Sequence, residues 1–210
     1  MTFWSKSWRK YKRRQPRSRT RLIVSIASIV FGAVILLIPF SPWIKFWLLR
    51  PAPVYPYPTR LAGTAMLPSV PDVKTAAVPQ DNRLVIPKIG VNYEIVEGPD
   101  ERALDRGIWR IPQTSTPDQG GNTVLTGHRF RYLSGPKTLY LLDQMQIDDI
   151  IIVYWQGQEY DYKVVERRVV NPDAVEILEN TPFPQLIVFT CTPLFSTKQR
   201  LVLFARPMTE

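Results

Sequence analysis

A chain of 210 residues, 45% hydrophobic and 21% charged, is long enough for one sizeable core and too ordinary in composition for wholesale disorder or a collagen repeat. One cysteine excludes an internal disulfide framework. One cysteine with one histidine also falls short of the three or four side-chain ligands of a typical zinc site, so no metal is expected. The net charge of +9 invites a nucleic-acid reading, but its distribution argues otherwise: nine of the 27 Lys and Arg lie in residues 1–21, which hold no acid, and the remainder is balanced at 18 bases against 18 acids.

From the N-terminus, the basic tail of residues 1–21 leads into residues 22–44, which carry no charge and as a helix reach roughly 35 Å, enough for a hydrocarbon core of about 30 Å. Pro39 and Pro42 fall at the end of this run, where a helix can stop, and Trp43, Phe46 and Trp47 suit the membrane interface. A cleaved leader would need a small-x-small site close behind the run, and Gly63-Thr64-Ala65 lies about twenty residues too far on. The segment therefore reads as one spanning helix. Its charge asymmetry puts the N-terminus in the cytoplasm, with the tail against acidic lipid headgroups rather than nucleic acid, and the rest of the chain outside. Residues 45–81 are expected to form an extracellular linker: seven prolines between 51 and 80 favour extended polyproline II. That stretch reads either as a stalk or as an arm packed on the following domain.

Beyond Asn82 short β-rich runs are punctuated by Gly, Pro and Asn, the pattern of a closed or sandwiched all-β domain. Eight strands are predicted, over 84–87, 91–96, 107–111, 122–126, 149–155, 159–170, 186–190 and 200–206. Tyr160, Tyr162 and Val164 alternate with Asp161 and Lys163, the period of a strand with one wet face. Short helical pieces are predicted over 101–105, 138–145 and 172–178, the second offering Leu139, Leu142 and Met145 at spacings of three.

Chemistry points to two residues that occur once each. Cys191 ends the apolar run of residues 186–190, and His128 follows the strand of residues 122–126 after Gly127, so both lie just beyond strand ends. Thiol attack on a carbonyl needs a thiolate, a proton donor for the leaving amine, and a cation or hydrogen-bond donor for the oxyanion. Cys191, His128 and Arg200 supply those in kind, Arg200 offering planar donors that do not exchange their proton at working pH. Taken singly, each also fits a plainer part: a buried small hydrophobe, a turn residue, a surface cation.

Thr126-Gly127-His128-Arg129, Thr190-Cys191-Thr192-Pro193 and Arg200-Leu201-Val202 resemble the three signature segments of sortases, the cysteine transpeptidases that attach proteins to bacterial surfaces. Leu84-Val85-Ile86-Pro87-Lys88-Ile89-Gly90-Val91 is similar to the opening sortase strands, Ala103-Leu104 through Gly107 with Pro112 to the segment before the histidine, and Gly121-Asn122-Thr123-Val124-Leu125 to the lead into it. The resemblance runs over about residues 82–207 in the family's order. Two positions depart from it: the family's Thr-Leu-x-Thr-Cys reads Ile187-Val188-Phe189-Thr190-Cys191, and its Gly-Asp before the fifth strand reads Asp148-Asp149.

The resemblance implies an all-β, eight-stranded sortase-like barrel with a few short helices, a catalytic domain over residues 82–210, and no cofactor. Cys191 would be the nucleophile, His128 the acid and base, and Arg200 the oxyanion-stabilising and substrate-orienting cation. Thr190 would assist the oxyanion, and Leu194 and Phe195 either line the pocket for the apolar residue of the substrate or pack their loop. The implied reaction cleaves a C-terminal sorting signal of the Leu-Pro-x-Thr-Gly kind through a thioacyl enzyme and passes the protein to a cell-wall precursor or another surface amine, at the bacterial plasma membrane. A thiol hydrolase using water, or a membrane-tethered binding protein with a silent site, are the alternatives. With no Asp-Pro-aromatic lid motif upstream and no second apolar span after the domain, a single-anchor enzyme is expected rather than a pilus polymerase.

Overall fold

The computed structural model describes residues 18–49, 78–131 and 138–208. The chain divides into two compact units, residues 1–41 and 42–210. Most of the basic tail and nearly all of the Pro-rich segment lie outside the described residues.

The first unit is built on α1 (Ser18–Leu37), apolar all round because no charge interrupts residues 22–44. The apolar stretch Arg19–Phe40 is long enough to cross a bilayer, with mean hydropathy 2.7 and none of it buried, and it fits a membrane anchor. A 3₁₀ turn (Ile38–Phe40) follows; the next element, α2 (Ser41–Leu49), belongs from Pro42 on to the second unit. Two helices therefore stand where one was predicted over 22–44, and helix runs on to Leu49, into the predicted linker. Pro39 and Pro42 account for the break: each sits in the first two positions of its element, where the missing N–H is not needed, and neither continues the helix before it.

In the second unit eight strands close into a barrel. They are β1 (Arg83–Ile86), β2 (Val91–Val96), β3 (Ile108–Arg110), β4 (Asn122–Thr126), β5 (Ile150–Trp155), β6 (Gln158–Val170), β7 (Gln185–Thr192) and β8 (Gln199–Pro207). Their order around the barrel is β1-β2-β3-β4-β7-β8-β6-β5, the eight-stranded closed fold that the resemblance implies. Neighbours are antiparallel except β2 with β3 and β4 with β7. The first parallel pair is bridged by the 3₁₀ turn Glu101–Asp105.

Period-two alternation sorts the side chains. Leu84, Ile86, Ile108, Leu125, Ile151, Val153, Val164, Leu186, Val188, Leu201, Leu203 and Ala205 fill the main core. Val124, Ile187 and Val202, from the same three neighbouring strands β4, β7 and β8, form a second cluster with Ile177, packed by Phe189, Phe204 and Leu178. One face of those strands is thus the barrel interior. The other is covered by the segment between β6 and β7, whose 3₁₀ turn (Val175–Leu178) supplies Ile177.

The connection before β5 turns at Asp148, which adopts φ 72°, a left-handed conformation that a short polar side chain tolerates. This is the place where the family's glycine is replaced. Asp149 then accepts hydrogen bonds from Gln146 N and Lys88 Nζ, both at 2.6 Å.

Candidate active site

β4, β7 and β8 lie side by side, and their registers set the site. On β7, Leu186 and Val188 enter the main core, whereas Ile187 and Phe189 enter the second cluster; the alternation carries Thr190 inward and Cys191 to the outer side. On β8, Leu201 and Leu203 are inward, and Val202 and Phe204 outward, which puts Arg200 on the outer side as well. Cys191 and Arg200 are direct partners across this antiparallel pair, so their side chains leave the same face with Cβ atoms about 5 Å apart.

β4 flanks β7 on its other edge, in parallel, with Thr126 beside Phe189. Two residues farther along each chain come His128 and Cys191. Two hydrogen bonds tie these strand ends together: Thr126 Oγ1 donates to Phe189 O at 3.1 Å, and Thr190 Oγ1 to Gly127 O at 2.7 Å. The Thr190 hydroxyl is buried and committed to this bond inside the barrel. Gly127 is required by space, since a Cβ there would lie 2.9 Å from Ile108 Cδ1 and 3.1 Å from Leu139 Cγ. The structure therefore gathers Cys191, Arg200 and His128 at one end of three adjacent strands.

The thiol of Cys191 is free and half-buried. Arg200 Nη1 donates to Thr197 O at 2.8 Å and Gln199 O at 3.2 Å, carbonyls of its own loop and strand. His128 leaves about a third of its side chain exposed, with Nε2 3.5 Å from Asp105 Oδ1, and its carbonyl accepts Leu139 N at 2.8 Å. The next residue, Arg129, is buried. Its Nε donates to Tyr140 O at 2.7 Å and its Nη2 lies 3.0 Å from Asp143 Oδ1. Burial pulls the pKa of Arg129 down, opposed by the Asp143 carboxylate.

Leu194 is half-buried and Phe195 is 55% exposed, both in the turn between β7 and β8. Phe195 meets the edge of Phe130 with centroids 4.6 Å apart, so the turn after the cysteine touches the segment after the histidine. On the outer face, buried Asn122 at the start of β4 donates from Nδ2 to Ile177 O at 3.0 Å and Glu179 O at 2.9 Å, and its N–H donates to Asn180 Oδ1 at 3.0 Å. Gly121 before it has φ 74°, and a Cβ there would collide with Asn180 Oδ1. This latch holds the segment that covers the second cluster.

Asp105, Arg129 with Asp143, and the Asn122 latch were not singled out from sequence. Asp105, Arg129 and Asn122 all lie inside segments that carry the resemblance, but only the fold reveals their partners. Among the described residues no group of three or more His, Cys, Asp or Glu is placed to hold a metal ion; Asp149 is engaged by Lys88 and Glu166 by Arg168.

Comparison with known proteins follows the same lines. A sortase-domain family model matches residues 84–208. Sortase D of Bacillus subtilis is 28% identical over 130 residues, covering 60% of this chain and 63% of that protein. Sortase SrtE1 of Streptomyces coelicolor is 29% identical over 149 residues, covering 60% and 40%. The chain thus spans less than two thirds of the length of these curated relatives. Among solved structures, sortase C-1 from Actinomyces oris matches with a TM-score of 0.56 and 29% identity over 63% of this chain and 76% of that one. A lid mutant of sortase A from Corynebacterium diphtheriae matches with a TM-score of 0.56 and 26% identity over 63% and 72%. The family model spans more than half of the chain, and the barrel is shared with solved members: the chain belongs to the sortase family.

Proposed function

We propose that this protein is a membrane-anchored cysteine transpeptidase that cleaves a C-terminal sorting signal of the Leu-Pro-x-Thr-Gly kind and joins the released protein to a surface amine. The observation that carries this reading is the direct pairing of Cys191 with Arg200, with His128 at the neighbouring strand end. Arg200 puts a fixed cation with planar donors on the face from which the sulfur projects, where an acyl oxygen gains charge as the thiolate adds.

The reactive pair is a Cys191 thiolate beside a His128 imidazolium. The Cys191 thiolate attacks the carbonyl carbon before the scissile bond, and Arg200 stabilises the oxyanion. As the tetrahedral species collapses, the imidazolium of His128 protonates the departing amine, leaving a thioester on Cys191 and a neutral imidazole. An acceptor amine then adds to the thioester, gives its proton to His128, and expels the thiolate. No cofactor enters this cycle. Thr190 acts by holding Gly127, and so the approach to His128, against β7. Leu194 and Phe195 line the cleft where the apolar part of the signal lies.

In this reading residues 1–21 are the cytoplasmic tail, 22–44 cross the plasma membrane, 45–81 link outward, and 82–210 form the extracellular catalytic domain. Anchoring holds enzyme, exported substrate and lipid-linked acceptor at one surface, replacing a search in bulk with a local one. The test is to incubate the full chain in detergent micelles with a sorting peptide and an excess of amine, and to identify products by mass. A new amide is expected; free acid alone would make the enzyme a hydrolase, and intact peptide would end the proposal.

A further inference from the structure

The imidazole of His128 faces a carboxylate to which the resemblance assigns no role. Asp105 closes the 3₁₀ turn Glu101–Asp105, and its Oδ1 lies 3.5 Å from His128 Nε2 and 3.1 Å from Arg131 Nη1. The same Nη1 donates to Asp105 O at 3.2 Å, so Arg131 grips the residue by both its side chain and its backbone. The turn beneath it is braced as well. Asp100 caps it by accepting Arg102 N at 3.0 Å, Ala103 is buried, and Arg106 Nη2 donates to Glu97 O at 2.6 Å.

As an ion pair this arrangement does little for stability: Asp105 is 64% exposed, and water screens exposed pairs. Its consequence lies in direction. A histidine that cycles between acid and base works only if one ring nitrogen is kept for the reacting proton, and a fixed acceptor at the other nitrogen decides which. Apo separations of this kind shorten when substrate closes the site.

We propose that Asp105 is a positioning residue for His128: held by Arg131, it accepts the Nε2–H, fixes the ring, and leaves Nδ1 as the nitrogen that exchanges the proton with Cys191 and the departing amine. This rests on the transpeptidase reading for its kinetic consequence, but not for the ring geometry, which needs no substrate.

His128 is the chain's single histidine, which makes the test clean. The full chain, purified in micelles without a histidine tag and labelled with ring ¹⁵N-histidine, gives one imidazole whose tautomer is read by NMR. The wild type is expected to hold mainly the Nε2–H form, Asp105→Asn to lose that preference, and Asp105→Glu to recover part of it. With a sorting peptide, Asp105→Asn should lower kcat about tenfold, with KM within about twofold. Arg131→Gln, which frees the carboxylate without removing it, should shift the tautomer in the same sense but less. An unchanged tautomer ratio in Asp105→Asn overturns the proposal, whatever the activity. An Nδ1–H form in the wild type does the same. If no peptide is turned over by the wild type, the transpeptidase reading fails while the ring measurement still decides this one.

Discussion

Cys191 and Arg200 stand directly opposite one another on antiparallel strands, flanked by the pairs Thr190↔Leu201 and Thr192↔Gln199. Strand register rather than a flexible loop therefore sets where the two side chains leave the backbone. Arg200 is steadied through Nη1 by two carbonyls of its own loop and strand, and its Nε and Nη2 make no hydrogen bond among the described residues. Arg200→Lys keeps the charge and loses the fork. It is expected to lower kcat/KM by about 10²- to 10³-fold, the range for loss of one oxyanion donor, with the melting temperature little changed. Cys191→Ala should form no thioacyl species by intact mass. Near-normal turnover by either variant would break the assignment.

The Asn122 latch predicts a different signature. Its Nδ2 serves Ile177 O and Glu179 O in a buried place, so Asn122→Ala leaves two carbonyls without their donor, at about 1–3 kcal/mol each at most. Asn122→Asp sets an acceptor against those acceptors and should cost more than Ala. Because the freed segment covers the outer cluster on the face of β7 and β8 that also bears Cys191 and Arg200, KM is expected to rise more than kcat falls. Thermal melts and steady-state kinetics on both variants check the order; equal melting temperatures for Asn122→Ala and the wild type would contradict it.

What was legible in the chain follows from which interactions are local. β2 and β4 match the predicted ranges, β5 and β6 differ by one residue at one end, and the other four strands by one or two residues at both ends, because alternation is written along each strand. The helical expectations fared differently. Residues 138–145 hold only a 3₁₀ turn at Leu142–Gln144, and 172–178 only Val175–Leu178. Leu139, Leu142 and Met145 are all fully buried, but a spacing of three matches a 3₁₀ turn, where such residues eclipse, better than an α-helix of 3.6. Cys191, His128 and Arg200 could be picked by residue type and strand position. Asp105 could not: it lies 23 residues before His128 in sequence, and only the parallel β2–β3 crossover and β3–β4 pairing bring its turn alongside.

Asp148 offers a stability test. Its φ of 72° is a region where a Cβ is costly and glycine is not. Its side chain is largely exposed, with Lys163 Nζ only at 3.7 Å, a surface pair of small worth. Asp148→Gly should therefore stabilise the fold by about 0.5–1 kcal/mol, the relief of strain outweighing the extra freedom that glycine gives the unfolded chain. Denaturant unfolding checks the sign, and a destabilised variant would show that the local hydrogen bonds of aspartate matter more than its backbone.

Asp161 provides a pH-dependent counterpart. It lies on β6 opposite Ile152 of β5, and its buried Oδ1 has no hydrogen-bond partner. Burial first, and the charge of Glu159 second, raise its pKa above the ordinary carboxylate value. The sign follows from proton binding: the folded protein keeps the Asp161 proton to a higher pH than the unfolded chain does, so stability falls as pH rises from the ordinary carboxylate range through the raised value, and is flat beyond it. Asp161→Asn has no proton to lose. Near neutral pH it should be the more stable protein by about 1 kcal/mol, the lower end for an unsatisfied buried group, and the advantage should shrink towards zero as pH falls below the ordinary carboxylate range. Parallel curves for the two proteins across that window, in melts from about pH 3.5 to 8, would mean that Asp161 ionises as freely in the barrel as in the open chain.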